Sequence, residues 1–191
     1  MITRRFITSL MLLSGWLAAQ AAAQTDSPAV VVPEENPDAL TVLTEVEKPF
    51  VFIYGTWNNQ VKIENGTAML HCANSRGAAG INENMSASPE QRPILRILIG
   101  ANNKAKILRL ALRDTLANTG VWDYDLSNAP KGVYTFIRPV GNSSLATPTS
   151  IDKKEDTPGE APNPAKLTQW KICGDWSDEP LDVDISVILL E

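Results

Sequence analysis

A chain of 191 residues, 43% of them hydrophobic, has room for one domain with a substantial core and too little length for two generous ones. Its 22 Asp and Glu against 17 Lys and Arg give a formal net charge of −5, which leaves no electrostatic footprint for nucleic acid and is repelled by an anionic membrane surface. A single histidine and two cysteines without C-x-x-C spacing exclude a zinc site of ordinary composition, and no Gly-rich phosphate cradle is present, so neither metal nor cofactor is expected.

The first 23 residues read as a secretory signal peptide. Arg4 and Arg5 form a positive n-region, Leu10 to Ala19 a short apolar stretch, and Ala21-Ala22-Ala23 the small residues of a cleavage site. The apolar stretch is shorter than the ~20 residues needed to cross a bilayer, so no membrane span is expected after cleavage, although an uncleaved anchor is the alternative reading. Arg4-Arg5 also suggests a twin-arginine export route, but Phe6 follows the pair directly, where that signal prefers a polar residue. Cleavage after Ala23 would remove both arginines and move the net charge from −5 to −7. Export places the remainder in a periplasmic or secreted, oxidising setting. Cys72 and Cys173 then read as a disulfide closing a loop of about 100 residues, worth roughly 4–5 kcal/mol in the chain-entropy picture.

Residues 24–39, with Pro28, Pro33 and Pro37 among several acids, read as an extended linker. The domain proper is expected over 40–191. Leu40 to Val46 alternates, and Pro49 to Tyr54 is rich in aromatic and β-branched residues, so both are predicted strands. Val61-Lys-Ile and Ala68-Met-Leu-His-Cys flank Asn65-Gly66, the strongest hairpin signal in the chain. Residues 73–93, rich in Ser, Asn, Gly and Ala without a period, read as a long loop. Residues 94–120 could hold a helix, since Leu108, Leu112 and Leu116 stack at helical spacing. The alternation of Leu108, Leu110 and Leu112 with Arg109, Ala111 and Arg113 favours strands.

Val121 to Leu126 and Val133 to Arg138 follow as strands about the turn Ser127 to Gly132. Residues 141–166, rich in Pro, Ser, Thr and charge, read as a second long insertion. Leu167 to Cys173 and Leu181 to Leu190 close the chain as strands, with Val183, Ile185, Val187 and Leu189 expected on one face. Eight or nine short strands with turns between them imply an all-β antiparallel sandwich or barrel.

Within that class, Asp125-Leu-Ser-Asn-Ala-Pro-Lys-Gly-Val-Tyr-Thr-Phe136 resembles a turn of bacterial immunoglobulin-like β-sandwich modules, where a Pro-x-Gly turn joins a strand ending in Asp-Leu to one opening with Tyr-x-Phe. The resemblance covers about a dozen residues. It implies an immunoglobulin-like sandwich in which Tyr134 anchors a corner through its hydroxyl.

Few residues point to chemistry. His71 neighbours Cys72, but adjacent strand residues face opposite sides, which is against a Cys–His nucleophilic pair. Asp123 and Asp125 share a strand face, so a carboxylate-pair hydrolase is conceivable only if repulsion raises one of them. The acids from Asp175 to Asp184 fit no EF-hand spacing and read as a solvated loop.

The tryptophans carry more. Trp57 stands in a turn beside Asn58 and Asn59, and Trp176 stands in a loop among acids. Exposed aromatics beside amides and carboxylates mark binding surfaces. Trp122 and Trp170, in mid-strand, are expected in the core. The expectation is an exported, non-catalytic binding or assembly protein of a bacterial envelope system, engaging a partner protein through Trp57, Asn58, Asn59, Trp176 and the 73–93 loop. A carbohydrate-binding or enzyme-inhibitor module is one alternative, and a hydrolase using the Asp123 and Asp125 carboxylate pair is another.

Overall fold

Alternation, Asn-Gly chemistry and β-branched runs produce strands almost wherever the sequence suggests them. The computed structural model describes residues 40–152 and 159–191. The predicted signal peptide (1–23), the linker (24–39) and the centre of the second insertion (153–158) lie outside the described residues. These contain twelve strands: β1 (Thr41–Glu45), β2 (Phe52–Gly55), β3 (Val61–Glu64), β4 (Thr67–Cys72), β5 (Gly77–Met85), β6 (Pro93–Ile99), β7 (Ile107–Asp114), β8 (Thr119–Asp125), β9 (Tyr134–Ile137), β10 (Ser150–Asp152), β11 (Leu167–Cys173) and β12 (Leu181–Leu190).

They form two antiparallel six-stranded sheets. Sheet A runs β3-β4-β12-β6-β9, with β1 also on β12; sheet B runs β10-β8-β7-β11-β5-β2. The ten-residue β12 reaches further than its neighbours, so β4 pairs with its first half and β1 with its second. The chain is a β-sandwich. No helix among the described residues is long and apolar enough to cross a membrane.

The core lies between the sheets. Leu108, Leu110 and Leu112 of β7 are fully buried and Arg113 is exposed, as the alternation predicts. Trp57, Trp122, Trp170 and Tyr124 are also fully buried, and each such large apolar side chain contributes on the order of 2–3 kcal/mol. The Trp122 indole N–H donates to Ser144 O at 2.9 Å and the Tyr124 hydroxyl to Pro93 O at 2.8 Å, so these polar tips are satisfied inside. Tyr124 thus makes the kind of hydroxyl anchor expected of Tyr134. Tyr134 lies exposed, its ring 4.4 Å from the Arg96 guanidinium carbon.

Four sequence expectations are corrected. The 73–93 segment is not a long loop, because its middle is the nine-residue β5, interior to sheet B between β11 and β2. Its small residues lack β-propensity but meet a local need: a Cβ on Gly77 would fall within the Trp57 indole, and one on Gly80 would meet the Phe52 ring. The 141–166 insertion carries β10 and two single 3₁₀ turns, at Val140–Asn142 and Pro164–Lys166.

In β12, a bulge between Ile185 and Val187 breaks the strict alternation. Ile188 and Leu190 take the core positions in place of Val187 and Leu189. The Cys72–Cys173 disulfide is absent and both thiols are free. In β4, Cys72 shares its inward parity with Ala68 and Leu70. In β11, Trp170 and Ile172 point inward, which sends Lys171 and Cys173 to the outer face of sheet B. The two sulfurs lie on opposite sides of a sheet.

Candidate functional site

The outer face of sheet B is built from the residues that alternate with its core positions, and strand register sets them in transverse rows. One row runs Tyr54, Ala78, Cys173, Arg109, Asp123 across β2, β5, β11, β7 and β8. The next runs Phe52, Gly80, Lys171, Ala111, Val121, Ser150 and reaches β10. Side-chain height varies sharply along these rows. Ala78, Gly80, Ala111 and Val121 are short, so the middle of the face sinks. Tyr54 and Trp176 stand above it, 58% and 55% exposed. The result is a groove of about 510 Å³ that Tyr54, Trp176, Cys173 and both rows of charges line.

The charges come in pairs. Arg109 Nε donates to Asp123 Oδ1 at 3.0 Å, and the Lys171 ammonium lies 3.7 Å from Asp152 Oδ2. Arg109 also donates to Gly174 O at 3.3 Å, which ties the floor to the loop carrying Trp176. Burial pushes the Cys173 thiol up to about 11 despite Lys171 and Arg109 nearby, and burial alone pushes Cys72 to about 12. Both sulfurs stay protonated at neutral pH.

Trp176 does not float at the rim. Its backbone sits at φ +63°, a conformation non-glycine residues rarely adopt, and is held by its N–H donating to Ser75 O at 3.1 Å. The buried Ser75 hydroxyl donates to the Asp175 carboxylate. That carboxylate also accepts from Ser177 N–H at 3.0 Å and Lys106 N–H at 3.3 Å. Burial works against its charge, yet these hydrogen bonds together hold it below the usual carboxylate range. On the other rim, Tyr54 leans on Phe52 with ring centroids 5.3 Å apart. Both aromatics are therefore placed before any ligand arrives.

The predicted site residues separate. Trp176 lines the groove, as a binding role requires. Trp57 does not: it is fully buried, its indole N–H donates to Asn74 O at 3.1 Å, and β5 packs against its ring. Asn58 and Asn59 are exposed in the turn beside it, Asn59 at φ +63°, and neither lines the groove.

Asp123 is engaged by Arg109. Asp125 is held below its ordinary range by Ser127, the opposite direction from what a proton-sharing pair requires. His71 lies on the outer face of sheet A, its Nε2 2.9 Å from Asp184 and 3.7 Å from Asp182. Asp178 pairs with Arg76 at 2.7 Å. No group of three or more His, Cys, Asp or Glu placed to hold a metal ion is found among the described residues.

Sequence reasoning missed Tyr54, Arg109 and Lys171 as site residues. Their signal is the parity of their strands, because each alternates with a core residue and faces out beside short neighbours. A second depression, about 610 Å³, lies where Lys48, Glu83, Arg113, Asp114 and Gln169 meet. It has no aromatic wall, and much of its charge is spent on structure. Burial works against the Glu83 carboxylate, but Lys48, Thr44 and the nearby Trp170 indole hold it below its usual range. That indole N–H completes no hydrogen bond of full geometry. Asp114 accepts from the N–H groups of Leu116, Asn118 and Asn163. The larger volume is therefore the less promising surface.

No family model matches the sequence, and a search of curated proteins found no match.

Proposed function

We propose that this chain is an exported, non-catalytic binding protein of a bacterial envelope system, and that it engages its partner through the outer face of sheet B. The observation that carries the proposal is the groove flanked by Tyr54 and Trp176, two exposed aromatics on rigid supports above a floor of short side chains. Large aromatics held in place lose little entropy on binding, which is why they dominate binding energy where they occur. The leader-like N-terminus supports export, and the turn from Asp125 to Phe136 supports an immunoglobulin-like module.

A binding role also suits the groove's chemistry. Its acids and bases neutralise one another across strands, and its thiol is held protonated, which blunts it as a nucleophile. The loop surface once expected around Trp57 gives way to a sheet face, because Trp57 is spent on the core.

The test is retention of the purified chain on washed bacterial envelope material, compared with a Tyr54→Ala/Trp176→Ala variant of unchanged melting temperature. Retention by the native chain and its loss in the variant is the expected result. Equal retention of both, or none by either, overturns the proposal.

A further inference from the structure

The groove's charge balance and backbone chemistry select among ligands, and this inference rests on the binding role proposed above. Arg109 is matched by Asp123 and Lys171 by Asp152, so the floor offers two donors and two acceptors with no net field. An anionic polymer would find each cation already neutralised, on a chain whose formal charge is −5. An extended peptide adds to proteins by main-chain hydrogen bonding at a sheet edge. Here the central floor strands β11 and β7 are paired along both sides, so an extended peptide lying across the floor finds no free backbone groups there. What the face presents is carboxylates and cationic N–H groups side by side, short residues that let a ligand sit close, and two aromatic faces.

We infer that the groove binds a neutral glycan. Sugar rings place their C–H faces against Tyr54 and Trp176, while neighbouring hydroxyls, each both donor and acceptor, bridge the Arg109–Asp123 and Lys171–Asp152 pairs. The volume of about 510 Å³ falls within the range of about 300–1,000 Å³ typical of small-ligand clefts.

The experiment uses the full chain and three lots of envelope material: untreated, oxidised with periodate to break vicinal diols, and digested with protease. A glycan ligand gives retention that periodate abolishes, protease spares and added salt leaves unchanged. Tyr54→Ala and Trp176→Ala should each weaken that retention by at least about tenfold. Retention that protease abolishes and periodate spares overturns the glycan but keeps the groove, provided the aromatic variants still lose it. Loss of retention in salt overturns the ligand's neutrality, because a ligand without charge is not screened. Retention indifferent to both aromatic substitutions overturns the glycan and the binding face together. Both side chains are exposed, so the variants keep the fold, and a melting curve verifies this.

Discussion

Two loops of this sandwich carry a tryptophan among amides and acids, and they use it in opposite ways. In the 56–60 turn the indole of Trp57 dives inward. A glycine on β5 leaves room for its ring, and a carbonyl from the 73–76 loop takes its N–H. In the 174–180 loop, Gly174, Asp175 and Ser177 are tied down by Ser75, Lys106 and Gly77, and the backbone turns left-handed at Trp176, which puts its indole outside. The same residue type is a keystone in one loop and a tool in the other. What differs is whether the neighbouring strand has left a hole.

The sharpest way to break this contrast is to delete the buried ring. Trp57→Ala should cost about 3–5 kcal/mol, read from urea unfolding. An unchanged midpoint would mean that Trp57 is not a core residue. Filling the hole from the other side is the next largest effect: Gly77→Ala drives a methyl into the indole and should cost about 1–3 kcal/mol. In the Trp57→Ala background most of that cost should vanish, and simple additivity of the two would refute the proposed contact.

On the other loop, Asp175→Asn should cost about 1–2 kcal/mol at neutral pH, because Ser75 and two backbone donors lose a charged acceptor. The sign with pH follows from the depressed carboxylate. Its contribution is complete above the unfolded value near 3.9 and is lost as pH falls through the lower folded value. The melting temperature of the native chain should therefore drop more steeply below about pH 4 than that of Asp175→Asn. The smallest effect belongs to Trp176→Ala, which should stay within about 0.5 kcal/mol in stability while it removes the acrylamide-quenchable tryptophan fluorescence of the described domain. A large loss of stability there would erase the distinction between the loops.

How much of this was legible depended on whether a feature is local. The Asn65-Gly66 hairpin was legible because both residues sit at positive φ, +51° and +71°, which that pair favours chemically. The strands of 94–120 were legible because Leu and Arg alternate. β5 was not, because a strand of Gly, Ala and Asn is specified by the bulk of Phe52 on β2 and of Trp57 in the turn that follows it. Neither was the bulge that exchanges Val187 and Leu189 for Ile188 and Leu190 in the core. The thiols stand between these cases. The parity that separates them was visible in Trp170-Lys-Ile-Cys173, but an apolar setting alone does not say which face a sulfur takes. The exposure of Trp176 was read correctly from its acidic neighbours, whereas the identical logic failed at Trp57 because the hole that takes its ring is twenty residues away.

β2 has a further role that follows from its position. It is the last strand of sheet B and only four residues long, and it covers the part of β5 from Gly77 to Gly80, which has almost no side-chain bulk. Were β2 to peel away, it would uncover a flat, uncharged row of unpaired amides, the kind of edge on which chains template one another into aggregates. The single residue pair Phe52 and Gly80 therefore guards solubility as well as shape. Aggregation, more than loss of binding, is the expected penalty for weakening this strand.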